Sequence, residues 1–209
     1  MRRFERMVRD PVLIGEFLKM FDFATISMFD EEYPYAVPVN FGYDVREDRL
    51  SIYFHTVKEV GHKLALMRRN PKVCVTFAKF HNFPHTPYKK INIHDFRSVM
   101  AFGKVRLLKF GSPEFGNAMV RILAQADRAP NQFVHSRLKL IDIFEIECGW
   151  GDVYGKSESP IRSVEDVPFI NVLEADPNDT EPYDTTDLVS KKHGGNWSHD
   201  FLDEDKEYD

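Results

Sequence analysis

His55, Thr56, Lys58, Gly61, His62 and Lys63 fall within nine residues, at the point where the run "LSIYFHT" gives way to "VGHKLALMRRNP". A hydroxyl, two imidazoles and two ammonium groups gathered at a strand end and a helix start suit one kind of chemistry, the binding of an anion. The first N–H groups of a helix have no intrahelical partner and carry partial positive charge. A phosphate is therefore at home there. Thr56 adds a hydroxyl donor, His62 an imidazole N–H and Lys63 a full charge, while Gly61 lets backbone approach a ligand closely. The same spacing also fits a solvated helix start whose Lys and His face water.

A second stretch, "YPYAVPVNFGY", is aromatic and proline-rich. Pro34 and Pro38 each lack a backbone donor and exclude a fully paired central strand, so part of one sheet edge is open. A planar ring could lie along such an edge and read backbone groups from Pro38 to Asn40. An ordinary edge strand protected by proline fits equally. Other signals carry less. His81 and His85, with His94 nearby, have a metal-like i, i+4 spacing, but that spacing serves a metal only on a helix and two prolines oppose one. No metal site is expected. Gly42, Gly61 and Gly103 form no dinucleotide fingerprint. No general acid–base pair stands out, so the catalytic residues are unknown.

The elements that must position these groups follow from pattern. "DPVLIGEFLKMF" has apolar residues near helical spacing, with Asp10 as cap and Pro11 in the first turn. "DFATISMFD" alternates as a strand, and "REDRLSIYFHT" is another. The helix after Gly61 stops at Asn70-Pro71. "KVCVTFAKF" is β-branched and strand-like, "HNFPHTPYKKINIHD" reads as a connection or hairpin, and "FRSVMAFGKVRLLKF" as a strand bent or bulged at Gly103. "SPEFGNAMVRILAQADR" is an amphipathic helix capped by Ser112, and "LKLIDIFEIECGWGDVYGK" a last alternating strand. About six strands and three short helices without βαβ alternation predict a mainly β chain, an antiparallel barrel flanked by helices.

Composition sets the outer bounds. The 209 residues are 43% apolar and include 18 Phe, enough for one full core. No run of 18 or more apolar residues occurs, so no membrane span is expected. The charged start "MRRFERMVRDP" is unlike a secretory leader. Cys74 and Cys148 read as free thiols in a reducing cytoplasm, with a disulfide as the alternative. Residues 1–156 hold 24 Lys and Arg against 18 acids, whereas 157–209 hold 4 against 15. A mildly basic body thus carries an acidic extension, read as partly extended or disordered. The body suits a phosphate-bearing ligand and lacks the basic stripe of a nucleic-acid binder.

Together, "PYAVPVNF", "IYFHT…GHKL…NPKVCV" and "FRSVMAFGKV" resemble the FMN-binding split-barrel proteins. More narrowly, they resemble the pyridoxamine 5′-phosphate oxidase-related group that includes the nitroimidazole-resistance proteins. The likeness runs through most of residues 1–156, the expected domain; the extension 157–209 lies outside it. It implies a six-stranded antiparallel split β-barrel, flanked by short helices, that forms a homodimer with FMN between the subunits. Carried over, Val37, Pro38, Val39 and Asn40 line the isoalloxazine. His55 and Thr56 contact the ribityl–phosphate arm, and His62 with Lys63 holds the phosphate. Arg97 and Ser98 stand where the family has its "RS" or "RQ" pair, reached from the partner subunit. His62 departs from the commoner Arg, and its charge depends on pH.

The implied activity is a cytoplasmic, FMN-dependent oxidoreductase that reduces a small planar electron acceptor, with NAD(P)H as a possible electron donor. A non-catalytic flavin or haem binding module, or a redox sensor on the same barrel, is the alternative. True pyridoxamine phosphate oxidase fits less well, because its second phosphate-binding set and basic C-terminal segment are missing and this C-terminal segment is acidic.

Overall fold

The alternation in residues 24–28 places Ala24, Ile26 and Met28 on the buried side of strand β2 (Ala24–Met28) in a computed structural model. The structure describes residues 4–58, 61–82, 94–126, 138–158 and 161–167. Ahead of β2 come the two-residue strand β1 (Met7–Val8) and helix α1 (Pro11–Lys19). Asp10 caps α1 by accepting from the Val12 and Leu13 N–H groups at 2.8 and 3.1 Å. Ile14, Phe17 and Leu18 turn inward, while Val12 faces solvent.

Beyond β2 run β3 (Tyr35–Val39), β4 (Phe41–Val45), β5 (Arg49–Val57), helix α2 (His62–Arg69), β6 (Lys72–Asn82) and β7 (His94–Leu107). Helix α3 (Pro113–Gln125) follows, capped by Ser112 as its Oγ accepts from the Phe115 N–H at 3.2 Å. Strands β8 (Ile141–Gly149) and β9 (Val153–Ser157) come last. The stretch that reads as one last strand is in fact broken by a 3-10 turn at Trp150–Asp152. The connection 83–93 lies outside the described residues.

All pairing is antiparallel, in the order β3-β2-β6-β7-β8-β5-β4. Strands β3 and β4 are separated only by Asn40, so one line of chain pairs with β2 in its first half and with β5 in its second. Likewise β8 and β9 succeed each other along β7. Counting each broken line once gives six strands around a ring among the described residues, the split barrel that the family resemblance implies. Pro34 and Pro38 are explained at the same time, because β3 has β2 as its one partner strand among the described residues.

Two glycines permit close approaches. A Cβ on Gly103 would stand 2.5 Å from the Glu147 carbonyl oxygen, at the corner where β7 passes from β9 to β8. One on Gly42 would meet the backbone of Arg121 and Ile122 at 2.4 Å, so α3 rests directly on β4. The barrel interior holds Phe41, Leu50, Ile52, Phe54, Val75 and Phe77, closed by Leu64 and Met67 of α2. A second cluster joins Tyr53, Ile141 and Ile143 to Phe115, Met119 and Ile122 of α3. Strand β5 is therefore covered on both faces, which fixes the residues at its end.

The chain from 157 onward keeps contact with this core. Ser157 is buried, and Val167 after the 3-10 turn Val164–Asp166 joins the interior cluster. The rest of the acidic extension, from 168, is outside the described residues. Cys74 and Cys148 are both free thiols. Among the described residues no helix is long and apolar enough to cross a membrane.

Candidate functional site

His55 leaves the end of β5 opposite Ile143, and Thr56 follows it opposite Asp142. Both are half-buried. Among the described residues the buried Nδ1 of His55 has no hydrogen-bond partner. A buried polar atom left in that state costs stability, and such atoms are uncommon unless something else serves them. Burial pushes the His55 imidazole below its usual pKa, and the nearby Lys63 charge pushes it further. Lys63, in the first turn of α2, is itself half-buried and lowered by that burial. Its Nζ lies 5.6 Å from the Phe54 ring centroid, and it makes no ion pair among the described residues.

Helix α2 starts at Gly61, which provides no side-chain cap. Among the described residues its first N–H groups have no hydrogen-bond partner, and Lys63 and His55 stand nearby. This donor set fits a terminal phosphate: one full positive charge, with a ring nitrogen and helix N–H groups that have no partner among the described residues.

His62 takes a different direction. Its Nε2 is 2.6 Å from Asp30 Oδ2, and the edge of its ring meets Tyr35 at a centroid distance of 4.9 Å. Arg69, at the other end of α2, donates to Glu31 at 2.6 Å and to Asp30 at 3.5 Å. The hydrogen bond from His62, followed by the Glu31 N–H, holds the Asp30 carboxyl below the usual carboxylate range. His62 thus ties α2 to the turn between β2 and β3. Asp30 is 32 residues away in the chain, and no spacing in the sequence marks it as the partner.

Val37 and Val39 lean on the barrel core, while Pro38 and Asn40 are exposed on the outer side of β3. From Pro38 a cross-strand row runs through Thr25, Thr76 and Met100 to Tyr154. Ser98 belongs to the same outer face of β7, and its Oγ donates to the Lys156 carbonyl at 3.5 Å. Arg97, its neighbour, points the other way and is 2% exposed. Its guanidinium donates to the carbonyls of Val167 at 3.0 Å, Asp166 at 3.3 Å and Phe96 at 3.1 Å. Of the residues singled out in the sequence, the structure brings Lys63 near His55, with Thr56 next to His55 in β5. It turns His62 from the start of α2 toward Asp30 in the β2–β3 turn, and parts Arg97 from Ser98.

A polar network on the α3 side, not foreseen from the sequence, holds β5 in register. Glu145 is buried and ion-paired with Arg106, with Arg46 at 3.7 Å. The Tyr53 hydroxyl donates to Asp44 at 3.0 Å and accepts from Arg46 at 2.8 Å. Burial, together with the neighbouring Asp44, raises the Tyr53 pKa.

Among curated proteins no sequence matches. Solved structures do. One, described as a candidate 5-nitroimidazole antibiotic resistance protein from Bacteroides thetaiotaomicron, is 25% identical with a TM-score of 0.55, over 72% of this chain and 86% of that one. An FAD-binding protein from Mesorhizobium loti has the same fold at 17% identity and TM-score 0.51, over 74% and 98%. An FAD and heme binding protein from Mycobacterium smegmatis does so at 14% and 0.53, over 78% of each chain. The family described as pyridoxamine 5′-phosphate oxidase matches residues 14–135, more than half of the sequence. On that match, with the split barrel and a phosphate-compatible helix start in the same stretch, the chain belongs to the pyridoxamine 5′-phosphate oxidase family.

Proposed function

We propose that this protein is an FMN-binding flavoprotein, an FMN-dependent oxidoreductase of the nitroimidazole-resistance type that reduces a small planar electron acceptor. The observation that carries the reading is the convergence of Lys63, the His55 Nδ1 and the start of α2, the last two without a partner or side-chain cap among the described residues. A flavin mononucleotide has a terminal phosphate for such a cradle, whereas riboflavin does not.

In this reading Lys63 neutralises the phosphate and the α2 N–H groups bond its oxygens. His55 adds a ring N–H, and Thr56 a hydroxyl on the ribityl side. The exposed edge of β3 presents the backbone of Val37, Pro38, Val39 and Asn40 to the ring. Pro38 has no N–H, so donors toward the ring come from its neighbours. When bound, FMN supplies the hydride chemistry, and the protein supplies position and electrostatics. His62, through Asp30, keeps the start of α2 seated, and Ser98 lies on the outer face that a partner subunit would cover. NAD(P)H is the electron donor to be tested.

A homodimer with the cofactor at the subunit interface follows from the same reading. The outer face of β6 and β7 supports it, with Phe80 at 68% and Met100 at 42% exposure among small side chains such as Thr76 and Ala78. Apolar side chains set in a contiguous sheet face mark an interaction surface.

A parallel titration with FMN and riboflavin tests the proposal. FMN binding tighter by about two orders of magnitude, roughly 2.7 kcal/mol, is the expected result. Equal affinity would remove the phosphate cradle from the account. Anaerobic reduction by NAD(P)H followed by reoxidation with a nitroaromatic then separates the enzyme from a flavin module that does not turn over.

A further inference from the structure

Helix α2 is fastened at both ends to the turn from which β3 leaves. His62 is its first residue and Arg69 its last, two helical turns apart, so the two share a face. His62 Nε2 lies 2.6 Å from Asp30 Oδ2. Arg69 donates to Glu31 at 2.6 Å and to Asp30 at 3.5 Å. Both acids stand between the end of β2 at Met28 and the start of β3 at Tyr35. The His62 ring also meets Tyr35 itself, edge to face at 4.9 Å, and Tyr35 packs against the barrel core.

His62 is thus a junction. On α2 its chain neighbour is Lys63, the charge of the phosphate cradle, and Tyr35 opens the strand whose Val37–Asn40 edge is read as the ring support. Exposed ion pairs are each worth little for stability. Two of them on one face of a short helix nevertheless fix how that helix is turned and how far it stands from β3. A ligand held at two points gains most when the spacing of the two sites matches its own length. Asp30 also brings a negative charge to the helix that carries Lys63, and by Coulomb's law alone it should oppose a phosphate there. Its presence is explained if holding His62 matters more than the repulsion.

We propose that His62 and Asp30, with Arg69 and Glu31 at the far end of α2, form a positioning clamp that sets the distance between the phosphate cradle and the β3 edge, and so selects a flavin with a terminal phosphate. The inference rests on the flavin reading above. It makes His62 a positioning residue that acts through Asp30 and Tyr35, in place of a phosphate ligand.

The test titrates the intact chain with FMN and with riboflavin. Asp30→Ala removes the clamp and an anion together, so positioning and simple electrostatics predict opposite signs. The clamp predicts an FMN Kd about fivefold higher, with the riboflavin Kd moving less than about twofold. Asp30→Asn keeps an acceptor for the His62 N–H without the charge, and should stay within about twofold of the unsubstituted chain. In the Asp30→Ala background His62→Ala should add less than about twofold, because its partner is already gone. Hydrogen exchange reads the clamp with no flavin present: the α2 amides should exchange about fivefold faster in Asp30→Ala. Circular dichroism checks that the variants fold. Tighter or unchanged FMN binding in Asp30→Ala, an equal loss for riboflavin, an Asn variant as weak as Ala, a further loss from His62→Ala or unchanged exchange would each overturn the proposal. An unsubstituted chain that binds neither flavin would bring down the flavin reading and the clamp together, whereas those results beside normal FMN binding would overturn the clamp alone.

Discussion

Removing the Lys63 ammonium should separate flavins by whether they carry a phosphate. Lys63 stands in the first turn of α2, half-buried, free of ion pairs among the described residues and close enough to depress the His55 pKa. A hydrogen bond to a charged group is worth about 1.5–3 kcal/mol. Half of this side chain stays in water, so the lower part of that range applies, and Lys63→Ala should raise the FMN Kd roughly 10- to 30-fold. Riboflavin has no phosphate to lose, and its Kd should move by less than about threefold. Quenching of flavin fluorescence on titration reads both constants directly. Lys109→Ala, an exposed lysine outside the cradle, serves as control and should leave both unchanged. An FMN Kd that rises no more than that of riboflavin, or no more than in Lys109→Ala, would refute the reasoning.

The pH dependence of stability has a definite sign at His55. Its folded-state pKa lies below the ordinary 6.5, so on acidification the unfolded chain takes up the proton first. The stability from His55 is complete above pH about 6.5 and is lost as pH falls below it. Denaturant titrations at several pH values should show that slope, and His55→Gln should flatten it. A bound phosphate acts in the opposite sense by favouring the protonated ring. FMN binding should therefore take up protons and tighten toward lower pH, as calorimetry in buffers of different ionisation enthalpy would record. Gly42→Ala forces a Cβ into the backbone of α3 and should cost about 1–3 kcal/mol. At roughly 2–4 °C per kcal/mol the loss is visible in thermal melts. Met100→Asp puts a charge in the outer β6–β7 face and should convert the proposed dimer to monomer in sedimentation, with FMN retention falling alongside.

Much of the fold is legible in local chemistry. Asp10-Pro11 and Ser112-Pro113 mark two helix starts, and Asn70-Pro71 marks the end of α2. The alternation from Phe23 to Phe29 gives β2 and its buried side, and Pro34 with Pro38 gives β3 its edge. Pattern of this kind fixes faces but not partners. It could not show that one line of chain breaks at Asn40 to close the ring, or that the run through Trp150 is two strands. At the site, the nearness of His55, Thr56 and Lys63 is visible because few residues separate them. The pairing of His62 with Asp30 is not, because it depends on where the β2–β3 turn meets α2. Nor is the inward turn of Arg97, which follows from alternation along β7 and from the carbonyls of residues 166 and 167.

The central claim, that this chain is an FMN protein, is tested most directly by identifying what it carries. The purified protein should show a flavin absorption spectrum. On denaturation it should release FMN, as judged by chromatography against FMN, FAD and riboflavin standards, at one per chain. A colourless protein that takes up no added FMN, a sharp Soret band from haem, or release of FAD in place of FMN would contradict the account.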